Sequence, residues 1–237
     1  MSDNIIDAYG LTKSYGSLKA LDEFAITVTK GKVFGLLGPN GSGKTTFIKL
    51  CAGLLTPDSG HLRVCDEGVG AGTKALVSYL PEAMYFPQWM KISECMAIFD
   101  DFYADFDRTK ATEMLAALQV DGAKRIRELS KGMKEKLQLV LVMSRRARLY
   151  LLDEPIAGVD PASRDYILDT IIRSYSADAA VVISTHLISD IEKALDEFAF
   201  LSYGKIVMQM TPDEAREKYG KSVDALFREV FRCFVNY

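Results

Sequence analysis

The chain has 237 residues, 49% hydrophobic and 26% charged, enough apolar content for a globular core and too much for a disordered or fibrous protein. Its 32 Asp and Glu outnumber 29 Lys and Arg, for a net charge of −3, so it lacks the basic footprint of a dedicated nucleic-acid binder. Short apolar runs alternating with helical patterns predict an α/β domain. Residues 26–29 and 33–37 read as strands joined by the turn Lys30-Gly31-Lys32. A glycine-rich stretch at 38–43 leads into a helix from Lys44 to about Gly53. Thr56-Pro57-Asp58-Ser59-Gly60 is a turn by composition, with strands expected at 61–65 and 76–80. From Ile92 the period becomes helical, and Ile92, Cys95, Met96, Phe99 and Tyr103 form one apolar stripe. Further helices are expected near 109–118 and after Ser130, where Met133, Leu137, Val140 and Leu141 share a face. Strands resume at 149–152 and 179–184, linked by a helix that starts at Pro161. Two short strands near 198–202 and 206–210 meet at Tyr203-Gly204, and a helical tail follows Pro212.

The longest apolar runs, at 137–143 and 179–183, fall well short of the ~20 residues of a membrane span. The start Met1-Ser2-Asp3-Asn4 has neither the basic residues nor the apolar stretch of a signal peptide. A membrane role is therefore expected only through a partner. Cys51, Cys65, Cys95 and Cys233 are widely spaced, which suits free buried thiols in a reducing cytoplasm better than a zinc site.

Gly38-Pro39-Asn40-Gly41-Ser42-Gly43-Lys44-Thr45 fits GxxxxGK[ST] between a predicted strand and a predicted helix. Glycines let backbone N–H groups approach phosphate oxygens, and the helix N-terminus adds the positive end of its dipole. Lys44 is expected to reach the β- and γ-phosphates and the Thr45 hydroxyl to hold Mg²⁺. Leu149-Tyr150-Leu151-Leu152-Asp153-Glu154 is an apolar strand ending in two carboxylates. They would sit at the C-terminal edge of a sheet, where α/β proteins bind ligands. Asp153 suits the Mg²⁺ shell and Glu154 suits polarising the attacking water. Read alone, two acids after a strand also suit a helix start or surface turn.

With these motifs in this order, the chain resembles the nucleotide-binding subunit of an ATP-binding cassette (ABC) transporter from end to end. Residues 38–45 match its Walker A and 149–154 its Walker B. Leu129-Ser130-Lys131-Gly132-Met133 matches the signature LSGGQ, departing from it at Lys131 and Met133. Ala157-Gly158-Val159-Asp160 matches the D-loop, and His186 the switch histidine. The resemblance implies that Tyr15 stacks on adenine. It implies that Asn40, Gly41, Ser42, Gly43, Lys44, Thr45 and Thr46 hold ATP. Ser130, Gly132 and Asp160 would complete a nucleotide site across a dimer, and His186 would contact the γ-phosphate. Where the family often has a glutamine ligating Mg²⁺, this chain has Glu82, which can serve as a ligand but adds charge repulsion near a phosphate. On their own residues, Ser130 and Asp160 read as helix N-caps.

The implied fold is a P-loop NTPase (RecA-like) core with an antiparallel β subdomain and an inserted helical subdomain. One nucleotide-binding domain would cover 1–237, with the core at 1–83 and 146–212, the helical subdomain at 84–145 and a helical tail at 213–237. The implied function is ATP hydrolysis that drives export through separate transmembrane permease subunits. A second nucleotide-binding subunit, identical or different, would pair with it on the inner face of the cell membrane. Tyr79-Leu80-Pro81-Glu82 and the signature resemble bacterial ABC-2 exporters. The alternative is a soluble ABC ATPase acting on ribosomes or DNA. A single GxxxxGK[ST], and too few residues between Lys44 and Asp153 for coiled-coil arms, weigh against it. Nucleic acid is not an expected partner. Met84-Tyr85-Phe86-Pro87-Gln88-Trp89-Met90 has no regular period, and the resemblance implies that Tyr85, Phe86 and Trp89 line a docking groove. Otherwise they cover the subdomain core beside Phe99, Phe102 and Phe106.

Overall fold

A computed structural model of the chain describes residues 3–157 and 159–232. It begins with β1 (Asn4–Tyr15), β2 (Leu18–Thr29), β3 (Val33–Leu37) and α1 (Lys44–Cys51). Then come β4 (Ser59–Val64), β5 (Glu67–Gly68), α2 (Ala71–Leu76) and β6 (Val77–Leu80). Three helices, α3 (Ile92–Phe102), α4 (Arg108–Ala117) and α5 (Lys131–Met143), precede β7 (Leu149–Asp153). The chain continues through α6 (Pro161–Ser174), β8 (Ala180–Thr185), α7 (Ile188–Ile191), β9 (Glu197–Ser202) and β10 (Lys205–Met210). Helices α8 (Pro212–Tyr219) and α9 (Val223–Arg232) follow.

The strands form two sheets. One is antiparallel, in the order β2-β1-β4-β5. The other has the order β10-β9-β3-β8-β7-β6, parallel except for β10. Side chains alternate along each strand, so β7 and β8 divide their residues between two cores. Leu149, Leu151, Ala180 and Val182 face one core, which also takes Phe47 and Ile48 of α1 and the inner face of the antiparallel sheet. Tyr150, Leu152, Val181 and Ile183 face the other, with Ile167 and Ile171 of α6 and Val223 and Leu226 of α9. Helix α1 is thus clamped between the sheets, which fixes the loop before it.

A third core fills the helical region, from Ile92, Cys95 and Phe99 to Leu115, Ile126 and Leu137. Helix α5 joins the cores, because Leu137, Val140 and Leu141 pack into the third while Leu139, Val142 and Met143 pack into the sheet core. Just past its end, Arg145 is 2% exposed and fully engaged. It binds both carboxylate oxygens of Asp105, donates to the Val77 and Ala75 carbonyls, and stacks over the Tyr103 ring at 3.8 Å. A buried guanidinium needs this many partners to offset its lost hydration.

Helices α8 and α9 carry the described chain from Pro212 to Arg232. Thr211 caps α8 through a capping box with Glu214, and Pro212 takes the first turn. Phe227 and Phe231 of α9 meet Phe200 edge-on. Cys51, Cys65 and Cys95 are free and buried, and burial pushes the Cys65 thiol up to about 11. Cys233 lies outside the described residues. No helix among the described residues is long and apolar enough to cross a membrane.

Two local expectations change. Leu76 ends α2 and does not start a strand. Residues 4–25, for which the sequence pattern predicts no element, hold all of β1 and most of β2. Their outer faces carry Asp7, Lys13, Lys19 and Asp22, which dilute the apolar signal, and cross-strand pairing decides the structure.

Candidate nucleotide and hydrolysis site

All five residues of β3 are buried, and the glycine-rich loop leaves the sheet where β3 ends. The loop is too tightly packed for side chains at two glycines. A Cβ on Gly38 would lie 2.4 Å from the Leu201 carbonyl oxygen, and one on Gly43, with φ at +114°, 2.4 Å from that of Ala20. Inside the loop, the Lys44 ammonium donates to the carbonyls of Gly38 (2.8 Å) and Pro39 (3.1 Å). Burial pulls its pKa below the ordinary lysine value, and the carboxylates of Glu154, Asp153 and Glu82 oppose that shift. The Ser42 hydroxyl is buried without a hydrogen-bond partner, which suits a donor awaiting a phosphate oxygen.

Next to this loop is a cavity of about 450 Å³. Its lining includes Tyr15, Asn40, Gly41, Ser42, Gly43, Lys44, Thr45, Thr46, Glu82, Glu154 and His186. Tyr15, at the end of β1, is half exposed. Leu18 and Ala20 also line the cavity, and the motifs do not reveal them. Only the hairpin register, which sets Tyr15 opposite Leu18, brings them there.

At the C-terminal edge of the parallel sheet, Thr45 donates from Oγ1 to Asp153 Oδ1 at 3.1 Å. Asp153 also accepts from the Ser184 hydroxyl at 2.5 Å. Glu154 turns the chain with φ at +52°, a left-handed conformation costing about 1 kcal/mol for a residue with a side chain. Its Oε2 accepts from Thr185 Oγ1 at 3.0 Å, and His186 Nδ1 lies 3.0 and 3.1 Å from the two carboxylate oxygens. Ser184 and Thr185 escape a motif reading, because a hydroxyl pair at a strand end is unremarkable until its partners are known.

The donor set suits Mg²⁺ brought in with a nucleotide. Among the described residues, no group of three or more His, Cys, Asp or Glu side chains is placed to hold a metal by itself. Mg²⁺ needs no such cage; one or two carboxylates, a hydroxyl, water and substrate phosphates suffice. Thr45 and Asp153 supply the protein's share, with Glu82 on the wall of the same cavity.

The remaining expected residues lie elsewhere. Ser130 caps α5, accepting from the Met133 N–H at 3.3 Å, and Gly132 follows in the first turn; neither lines the cavity. The Asp160 carbonyl accepts from the Arg164 N–H at the start of α6, and Gly158 lies outside the described residues. In the segment at 84–90 the expectations divide. Tyr85 and Phe86 border an apolar groove of about 640 Å³ between α2, β6 and α3, whereas Trp89 does not line it. Trp89 is 60% exposed, and its carbonyl accepts from Arg125. Phe86 is largely buried against Phe99 in the helical core, yet Phe102, expected inside, is 79% exposed at the groove.

Comparisons with known proteins give the family. The family model described as ABC transporter matches residues 21–157. The ABC transporter ATP-binding protein YtrB of Bacillus subtilis (strain 168) is 32% identical over 222 residues, covering 92% of this chain and 75% of YtrB. The Nod factor export ATP-binding protein I of Rhizobium sp. (strain N33) is 29% identical over 228 residues, with the same two coverages. A solved ATP-binding subunit of an ABC transporter superposes with a TM-score of 0.83 at 25% identity, over 95% of this chain and 99% of that one. With Glu154 and His186 on the cavity of the Walker loop, and the match over residues 21–157, this chain belongs to the ABC transporter family as an ATP-binding subunit.

Proposed function

We propose that this subunit hydrolyses Mg·ATP with Glu154 as base and drives export through separate transmembrane subunits. One observation carries the reading: Lys44, Thr45, Glu154 and His186 converge on the cavity beside the glycine-rich loop, with Asp153 hydrogen-bonded to Thr45 behind it. Lys44 exchanges its carbonyl contacts for the β- and γ-phosphates, and the first turn of α1 offers unsatisfied N–H groups. Tyr15 stacks on the adenine. Mg²⁺, held by Thr45 and Asp153 with Glu82 alongside, supplies charge neutralisation for the phosphates. Glu154 polarises the attacking water, and His186 orients that carboxylate and faces the γ-phosphate.

The signature residues Ser130 and Gly132 are outside the cavity, which favours a dimer in which a second nucleotide-binding subunit, identical or different, supplies them. Asp160 then lies toward that interface. Closing on ATP and opening after hydrolysis would drive the transmembrane permease, with this subunit on the inner face of the membrane. Export is favoured by the relatives' names, Nod factor export among them. Membrane purification of the complex tests the reading; recovery with ribosomes or DNA and no membrane partner would overturn it.

Glu82 is best read as a coupling position and metal neighbour, not a base. It follows β6 and Pro81 at the entry to the helical region. Glu82→Gln is expected to keep at least about half of the basal turnover, because an amide oxygen still ligates the metal. Glu82→Ala should weaken stimulation by the partner. Loss of all basal hydrolysis in Glu82→Gln would refute this role.

The apolar groove suits an amphipathic helix of the transmembrane subunit. Tyr85, Phe86, Met90, Phe99, Phe102 and Tyr103 line it, with Lys74 available for an acidic residue of the helix. Such large adaptable side chains anchor interfaces. Phe102→Ala is expected to weaken partner binding about tenfold or more while ATP affinity and melting temperature stay unchanged, since the side chain is exposed. Trp89→Ala, off the groove, should do far less. The reverse ranking in a pull-down titration would move the docking site.

A further inference from the structure

We propose that Ser184 and Thr185, the last two residues of β8, are positioning residues for hydrolysis: Ser184 sets Asp153, and Thr185 aims Glu154. The proposal rests on the reading of Asp153 as metal ligand and Glu154 as base. Its foundation is the parallel register, in which Asp153 of β7 pairs with Ser184 of β8. Residues paired in parallel strands project to the same face, and their successors to the opposite one. Asp153 and Ser184 therefore share one face, and just past the end of β7 Glu154 turns so that its carboxylate meets the next hydroxyl, Thr185.

Each contact is directional. Ser184 is fully buried and donates to Asp153 Oδ1, the oxygen that also receives the Thr45 hydroxyl. Thr185 is fully buried too, and its Oγ1 accepts from the Leu187 N–H at 3.0 Å. Because an ionised carboxylate only accepts, the Thr185 proton goes to Glu154 Oε2. The Glu154 backbone is anchored to the same strand, its N–H donating to the Ser184 carbonyl at 2.9 Å. His186 Nδ1 also contacts both carboxylate oxygens, but from a half-exposed ring, whereas buried Thr185 fixes one oxygen and so selects the bearing of the other. Catalytic geometry is sensitive to such supports.

The test uses the full chain. Single-turnover ATP hydrolysis is read beside the affinity for a fluorescent ATP analogue, and Mn²⁺ serves as a spin probe for the metal position in the presence of ADP. Thr185→Val keeps the shape and removes the hydroxyl. It should slow hydrolysis roughly tenfold or more with nucleotide affinity unchanged, and Thr185→Ser should restore the rate. Ser184→Ala should weaken Mn²⁺ binding roughly tenfold. Glu154→Gln, assayed in parallel, separates the two ideas. If Glu154→Gln is inactive but Thr185→Val turns over like the parent, the positioning role of Thr185 fails and the base stands. If Glu154→Gln remains active, the base assignment fails and this role falls with it. Equal losses in Thr185→Val and Thr185→Ser, or a parallel drop in nucleotide affinity and melting temperature, would make Thr185 a packing residue. Unchanged Mn²⁺ affinity in Ser184→Ala would overturn the role of Ser184.

Discussion

Lys44→Ala is expected to reduce ATP turnover by about two orders of magnitude or more, the scale set by removing one preorganised charge from a developing oxyanion. Among the described residues, Lys44 is the only lysine or arginine lining the cavity, where Glu82 and Glu154 are also in the lining and Asp153 is close behind. Without the ammonium, the loop and α1 N–H groups and the Ser42 hydroxyl would face a triphosphate and three nearby carboxylates with no full positive charge among them. Nucleotide affinity should fall as well, because the charge acts in the ground state as well as in the transition state. The loss should not come from unfolding. The ammonium's partners are the Gly38 and Pro39 carbonyls, while α1 stays packed through Phe47, Ile48 and Leu50. A melting curve close to that of the parent, with turnover gone, is the expected pair of results. Undiminished turnover in purified Lys44→Ala would show that the glycine-rich loop is not the working site.

Glu154→Gln is expected to bind ATP and hydrolyse it about 10²-fold or more slowly, within the usual contribution of a positioned base. The replacement is nearly isosteric, so its amide oxygen can still accept from Thr185 Oγ1. What disappears is the negative charge that polarises water. Since the signature residues lie outside the cavity, a nucleotide that cannot be cleaved should hold two subunits together. Light scattering at saturating Mg·ATP should then report about twice the 26.3 kDa mass of the chain. A monomer at every attainable concentration, alone and with its membrane partner's second ATP-binding subunit, would contradict the sandwich dimer.

How much of this was legible beforehand depended on how far apart the cooperating residues are in the chain. The phosphate loop is one contiguous stretch, and its glycines, lysine and threonine are set by local backbone geometry and spacing. The apolar run ending at Asp153-Glu154, the cap at Ser130 and the Pro212 helix start are equally local, and all were readable. Residues 4–25 were not, because a hairpin with a polar outer face is decided by pairing with β4 and by the core beneath it. The same holds for the groove. The resemblance implied a groove lined by Trp89, and the alternative put Phe102 in the core, but Trp89 is off the groove and helix α3 turns Phe102 outward while leaving Phe99 inside.

The linear order of residues thus determined the nucleotide-binding chemistry and the family, since both rest on short motifs with fixed local geometry. Only the tertiary structure decided which distant side chains serve those motifs. Leu18 reaches the cavity through its register with Tyr15, and Ser184 and Thr185 reach Asp153 and Glu154 across 31 residues. Strand register is chosen by the packing of two cores at once, and no window of sequence contains both sides of that choice.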